Sequence, residues 1–253
     1  MLGLGTSILS PYIESAAAFS NTKSLSLAVD AADDFDYVDT NYTSNALFQD
    51  SFSISMWLKP DDGQQFQMLF GVELGTSDVL TWSIGSLGQL SVIHYSNSDL
   101  AAFTTDAARF TNGAQSAFTH LVLTVTKNTG SDTLYAFYDD NNSAPGSFLG
   151  SFRVSEANHA AFDHGGLAPS IGASNDDGTH DTPYAGLIDE VTIFNKALSS
   201  SEVEAIYNGG VPKDESAHDG LLLYYRFEDD FTDTKGTSNA TNNGASFSST
   251  VPS

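Results

Sequence analysis

Residues 52–59 read Phe-Ser-Ile-Ser-Met-Trp-Leu-Lys, and this stretch is the clearest strand signal in the sequence. Its large apolar side chains stand at every second position: Phe52, Ile54, Met56 and Leu58. Because successive side chains of a β-strand point to opposite faces, this period of two predicts a strand with one apolar face. Pro60-Asp-Asp-Gly63 ends the strand with residue types typical of a turn.

Similar strand signals continue on both sides of this stretch. They lie at 24–29, 66–73, 79–86, 88–95, 118–126, 133–138 and 221–227. Turn residues at 127–132 join two of these runs into a predicted hairpin. Between 155 and 183 only Ser170-Ile-Gly-Ala173 resembles a strand, so that region is predicted to be rich in loops.

A single helix is predicted at 199–207. Ser199 is followed three residues later by Glu202, which is a capping box, and Asn208-Gly-Gly210 provides the stop. Many short strands, one short helix and no βαβ alternation predict an all-β, two-sheet antiparallel sandwich. We expect one domain over 20–253, preceded by an N-terminal arm at 1–19.

The composition excludes several functions. Nine Lys and Arg against 32 Asp and Glu give a formal charge of −23. This charge disfavours binding to nucleic acid, because the phosphate backbone is also negative. The chain has no Cys, so disulfides and thiolate metal sites are excluded. The sequence contains no run of about 18 apolar residues, so no membrane-spanning helix is predicted. The start at Met1 lacks the basic and apolar regions of a signal peptide, so no export by that route is expected.

Several segments, taken in order, resemble the concanavalin A-like, laminin-G-type jelly rolls. They are 23–38, 52–60, 118–124, 134–140 and 184–203. The last is the most specific, since Gly-Leu-Ile-Asp-Glu-Val191 is followed by Asn195-Lys-Ala-Leu-Ser199 and the capped helix. One segment departs from the family order: Leu222-Leu-Tyr-Tyr-Arg-Phe227, which opens the domain in many members, follows the helix here. We expect the C-terminal tail to fill that place by a permuted route.

Three functions are compatible with this resemblance. The sequence is similar to stand-alone laminin-G-like proteins among the structural proteins of marine tailed bacteriophages, which implies a non-enzymatic component of a phage capsid or tail, located in the virion. The alternative is a secreted or surface lectin that binds carbohydrate. The third, a laminarinase-type glycoside hydrolase, is disfavoured because no Glu-x-Asp-x-x-Glu run supplies paired carboxylates.

Calcium is the candidate cofactor, since it prefers oxygen ligands and the chain is rich in Asp and Asn. The resemblance implies Asp189, in the Ile-Asp-Glu-Val strand, as one ligand, with companions from an early acidic turn: Asp33, Asp34 and Asp36. The alternative is that these are solvated turn residues and that Asp189 accepts backbone hydrogen bonds. A second acidic cluster at 175–181 is interpreted as a hydrophilic loop.

Carbohydrate binding requires an aromatic ring against the apolar face of a sugar, with polar groups fixing its hydroxyls. The candidates are Trp57, Tyr95, Tyr138 and His180, with core packing as the alternative for each. Trp82, in phase with Leu80 and Ile84, is predicted to be core.

The arm at 1–19 has apolar residues without helical spacing. We expect the arm to dock into a neighbouring subunit or another virion protein through Leu2, Leu4, Ile8 and Leu9. The alternative is that the arm covers an edge strand of its own domain.

Overall fold

The computed structural model describes residues 19–31, 34–128, 132–139 and 147–253. Leu2, Leu4, Ile8 and Leu9 of the predicted arm, and Asp33 of the predicted metal set, lie outside these residues. The docking role of the arm therefore stays a prediction.

The described chain is mostly β-structure. The strands, numbered along the chain, are β1 (Ser24–Leu27), β2 (Val29–Ala31), β3 (Asp34–Phe35), β4 (Tyr37–Asp39), β5 (Phe52–Pro60), β6 (Gln67–Leu74), β7 (Asp78–Ile84), β8 (Leu90–Ser96), β9 (Asp99–Thr104), β10 (Thr119–Thr126), β11 (Asp132–Asp139), β12 (Ser147–Ser155), β13 (Ser170–Ile171), β14 (Ser174–Asp176), β15 (Thr179–Asp181), β16 (Gly186–Phe194), β17 (Leu221–Tyr225), β18 (Thr241–Asn243) and β19 (Ser246–Ser248). The α-helices are α1 (Asn45–Phe48), α2 (Glu156–Ala161) and α3 (Ser200–Tyr207).

Two sheets form the sandwich. The first has the order β12-β11-β10-β5-β16-β1-β19, and β17 continues beside β16 where β1 ends. The second has the order β18-β4-β13-β6-β7-β8-β9. Strand β14 pairs in parallel with β6 and antiparallel with β15, while β2 and β3 form a separate small ribbon. The predicted two-sheet sandwich is confirmed.

The main core lies between the sheets. Phe52, Ile54, Met56 and Leu58 of β5 are fully buried there, so the apolar face predicted from the alternation is the inner one. Trp82 belongs to the same core, as predicted. Burying such a contiguous set of large apolar side chains provides the principal driving force for folding.

Helix α3 begins at the predicted capping box: the Ser199 hydroxyl accepts from the Glu202 backbone N–H, and the Glu202 carboxylate accepts from the Ser199 backbone. Its buried residues Val203 and Ile206 pack on the outer face of the first sheet in a second apolar cluster. The back of β5 is therefore covered, which explains why the strand is buried on both faces.

The structure adds two helices and the pairing of the C-terminal tail to what the sequence predicts. The predicted helix is present, but the single-turn helix α1 and the six-residue α2 were not predicted. The tail is built into both sheets, because β17 pairs with β16, β18 with β4 and β19 with β1.

No helix among the described residues is long and apolar enough to cross a membrane.

Candidate functional site

The outer face of β4 carries two side chains of the candidate site. Tyr37 and Asp39 are two residues apart and share this face, whereas Val38 between them points into the core and is fully buried. Strand register places Ser170 of β13 beside Asp39 and Asn243 of β18 beside Tyr37. Four polar or aromatic residues from three strands are thereby brought to one patch of the second sheet.

A tight hairpin brings a fifth side chain to this patch. Strands β14 and β15 are joined by Asp177 and Gly178, which have φ angles of 49° and 85°. Two central residues with positive φ are typical of the type I′ turn, for which Asp-Gly is a favoured sequence. Asn175 caps the turn by accepting from the Gly178 N–H at 3.0 Å. The region interpreted as a hydrophilic loop is thus a hairpin that presents His180.

His180 is fixed by a dense set of contacts. Its ring stacks on Tyr37 with centroids 3.9 Å apart and an interplanar angle of 18°. Its Nε2 lies 2.9 Å from Asp39 Oδ1 and 3.0 Å from the Ser170 hydroxyl oxygen. Ser170 also donates to Asp39 Oδ1, and Asn243 donates to Oδ2 at 3.2 Å. The imidazole is therefore held in one orientation against the tyrosine.

The electrostatics of the patch centre on Asp39. Burial opposes its ionisation, but hydrogen bonds from His180, Ser170 and Asn243, with the charge of His180, outweigh this effect and hold its pKa below the ordinary value. Burial and the nearby Asp39 raise the pKa of the Tyr37 hydroxyl. At neutral pH the patch accordingly contains a fixed carboxylate and a neutral phenol.

An open cavity of about 450 Å³ lies against this patch. Its lining consists of aromatic rings, a carboxylate and small polar residues: Asp34, Phe35, Tyr37, Gly178, Thr179 and His180. Phe35 adds a third ring, with its centroid 5.9 Å from that of Tyr37. Rings combined with a few convergent polar groups are the composition of a small-molecule site.

The four predicted aromatic candidates do not come together. His180 lines the cavity, whereas Trp57 lies on β5 of the first sheet, 4% exposed, with Tyr207 of α3 stacked on it. Tyr138 lies on β11 of the first sheet, where its partly buried side chain packs against the second apolar cluster. Tyr95, on β8, is half-buried in the second sheet. Glycan contacts by these three remain predictions.

The predicted metal residues are also separated. Asp34 lines the cavity, and Asp36 accepts from the Ala28 N–H at 2.9 Å. Asp189 lies opposite Trp57 in the first sheet, where it accepts from Asn21 at 3.1 Å and from the Glu190 backbone N–H at 2.9 Å.

Burial, together with the charge of Glu190, raises the pKa of Asp189 well above its ordinary range. Among the described residues, no three His, Asp or Glu side chains are grouped so that they could hold a metal ion. Asp34, Asp36 and Asp189, the described members of the predicted calcium set, are thus not brought together, and calcium binding stays a prediction.

Sequence reasoning missed most of the site. Phe35, Tyr37, Asp39, Ser170 and Asn243 were not selected, because each belongs to a strand of only two or three residues. The Asp177-Gly178 pair is the signal that could have found the hairpin, since it predicts a type I′ turn with His180 two residues beyond it.

The chain belongs to the concanavalin A-like lectin/glucanase superfamily, because residues 32–204 match the Laminin_G_3 family. A comparison with curated protein sequences gives no match. The predicted family resemblance is confirmed, and the match includes both β4 and the β14–β15 hairpin of the cavity.

Solved structures share the fold at low sequence identity. A Bacteroides ovatus protein provisionally assigned as carbohydrate-binding is 20% identical, with a TM-score of 0.64; the match covers 92% of this chain and 62% of that one. An SAP-like pentraxin from Limulus polyphemus is 12% identical, with a TM-score of 0.57 and coverage of 90% and 94%. The CBM40 module of the Ruminococcus gnavus IT-sialidase is 14% identical, with a TM-score of 0.52 and coverage of 67% and 91%.

Proposed function

We propose that this chain is a non-catalytic, lectin-type domain that binds carbohydrate in the cavity beside Tyr37 and His180. The observation that carries the proposal is the ring pair held by Asp39, Ser170 and Asn243 at the edge of an open cavity. A rigid ring offers an apolar surface to a sugar without losing side-chain entropy on binding. The names of the similar structures from Bacteroides ovatus and Ruminococcus gnavus refer to carbohydrate binding, which supports the same class.

The carboxylates in and beside the cavity argue against hydrolysis. Glycoside hydrolysis requires a proton-donating acid of raised pKa facing a second carboxylate. Asp34 is the single carboxylate among the described lining residues, and Asp39, which contacts His180 beside the cavity, has the opposite property, since its hydrogen bonds lower its pKa. Glu73 has a pKa raised by burial, but it accepts from Ser174 and does not line this cavity. The cavity is therefore suited to holding a sugar rather than cleaving it.

Binding should depend strongly on Tyr37. Truncating an aromatic anchor at the centre of a binding site typically costs about 2 kcal/mol, which is roughly a 30-fold loss of affinity. We expect Tyr37→Ala to weaken binding to the best glycan of an array by about this factor. The measurement is isothermal titration calorimetry, with circular dichroism and thermal melting to establish that the variant is folded.

Phe148→Ala is the matched control for Tyr37→Ala. Phe148 is 59% exposed on β12 of the first sheet and lines none of the site described above. If Tyr37→Ala binds the glycan as tightly as the wild type, the sugar binds elsewhere. The same holds if only Tyr95→Ala loses affinity.

A role in a phage particle is a separate proposal. It rests on the sequence likeness and on the arm, whose residues 1–18 lie outside the described part of the chain. Mass spectrometry of purified particles tests it, since a virion component is present in them and a secreted lectin is not.

A further inference from the structure

A second cavity, of about 310 Å³, lies at the end of β5. Phe66, in the β5–β6 loop, lines it and is 54% exposed, although large aromatic side chains are usually buried. Val29 adds a second exposed apolar side chain. The polar part of the lining includes Asp61, Asp62 and Gln65. Like the cavity beside Tyr37, this cavity therefore combines an aromatic ring with carboxylate side chains, and it adds the amides of Gln65 and Gln67.

The two cavities are neighbours across the β2–β3 ribbon. Val29 of the second cavity is paired directly with Phe35 of the first. Directly paired residues of antiparallel strands have Cα atoms about 5 Å apart. On the other side, His180 and Pro183 line the first and second cavity respectively, and three residues of chain span at most about 10 Å. One extended ligand can therefore reach both.

The lining of both cavities is acidic. Asp34 lies in the first, and Asp61 and Asp62 lie in the second. Backbone hydrogen bonds from Gln64 and Gly113 lower the pKa of Asp62, so it is ionised at neutral pH. None of the described lining residues is Lys or Arg, and the imidazole of His180 is already paired with Asp39. Like charges repel across an interface, so an anionic sugar is disfavoured at both positions.

We propose that the two cavities are adjacent subsites for a single neutral oligosaccharide, with Tyr37 and His180 contacting one sugar residue and Phe66 another. The inference rests on the proposed function and adds two features to it: the ligand is an extended chain, and it carries no acidic sugar. Phe66 then acts as the second aromatic platform, and Asp61 and Gln65 supply groups that accept from or donate to sugar hydroxyls.

The test combines chain length with substitution. The probes are the neutral glycans of an array with one to six sugar residues, and the anionic trisaccharide sialyllactose. We expect binding to strengthen with length and sialyllactose not to bind. Phe66→Ala should weaken the longest neutral ligand at least tenfold while leaving the shortest bound ligand unchanged. Tyr37→Ala should weaken both, and Phe148→Ala, which removes an equally exposed ring elsewhere, should weaken neither.

The outcomes separate this inference from the proposed function. If Tyr37→Ala weakens binding but Phe66→Ala has no effect at any length, the second subsite is wrong and the proposed function stands. If sialyllactose binds as tightly as the neutral trisaccharides, the assignment to neutral ligands is wrong. If no glycan binds the folded wild type, both are wrong. Thermal melting of each variant distinguishes a lost contact from a lost fold.

Discussion

Asp233→Ala is expected to destabilise the fold by about 3 to 4 kcal/mol, because it removes the acceptor for several backbone N–H groups at once. Asp233 is 2% exposed in the loop after β17. Its Oδ1 accepts from the N–H groups of Tyr224 and Lys235 at 2.8 and 3.0 Å. Its Oδ2 accepts from Thr237 and Ser238 at 2.6 and 3.0 Å. This one carboxylate thus organises the segment that carries the chain from β17 to β18.

The measurement for Asp233→Ala is urea unfolding followed by tryptophan fluorescence. Asp233→Asn should show an intermediate loss, since its amide retains only one acceptor oxygen. Asp230→Ala is the control, because exposed Asp230 accepts only from the Thr232 N–H among the described hydrogen bonds. A loss for Asp233→Ala no larger than for Asp230→Ala would contradict the prediction.

His94→Leu is expected to become more stable relative to the wild type as the pH falls. His94 is 1% exposed, and neither ring nitrogen has a hydrogen-bond partner among the described residues. Its neighbours are rings, with centroids at 5.4 Å for Phe162, 5.7 Å for Tyr135 and 6.0 Å for His159. Burial, with a smaller effect from the charge of His159, lowers its pKa from 6.5 to about 3.

The direction of the His94 effect follows from proton binding. Below pH 6.5 the unfolded chain protonates His94 while the folded chain does not, so the wild type loses stability as the pH falls toward 3. Between pH 8 and pH 5 this loss amounts to about 2 kcal/mol at 1.36 kcal/mol per pKa unit. Leu cannot titrate, so the difference between the variant and the wild type should grow by that amount.

Urea unfolding at pH 8 and at pH 5 gives the free energy of unfolding of the wild type and of His94→Leu. The prediction concerns how much the difference between the two proteins changes between these pH values. Titratable groups distant from His94 titrate in both proteins and cancel, so the coupled neighbour His159 is the one group whose contribution differs between them. His94→Phe serves as a second variant in case Leu leaves a gap against Phe162. A constant difference between variant and wild type at the two pH values would contradict the prediction.

The fold class and the family can be predicted from local signals in the sequence. Alternation in 52–59 is a local property of consecutive residues, so it identifies the strand and its apolar face without knowledge of any partner. The capping box of Ser199 and Glu202 is equally local, since both hydrogen bonds close within one helical turn. The run at 184–203 combines such local signals and is specific enough to indicate the family.

The candidate site, in contrast, is assembled by contacts between residues far apart in the chain. Asp39 and His180 are 141 residues apart in the chain, and Asp39 and Asn243 are 204 apart, yet they share one hydrogen-bonded patch. Strands of two or three residues have too few positions to show a period, so their faces become defined only when neighbouring strands fix the register. Burial of Trp57 likewise depends on where α3 packs. Residue type predicts which side chains are candidates for a sugar site, whereas strand pairing determines which of them meet.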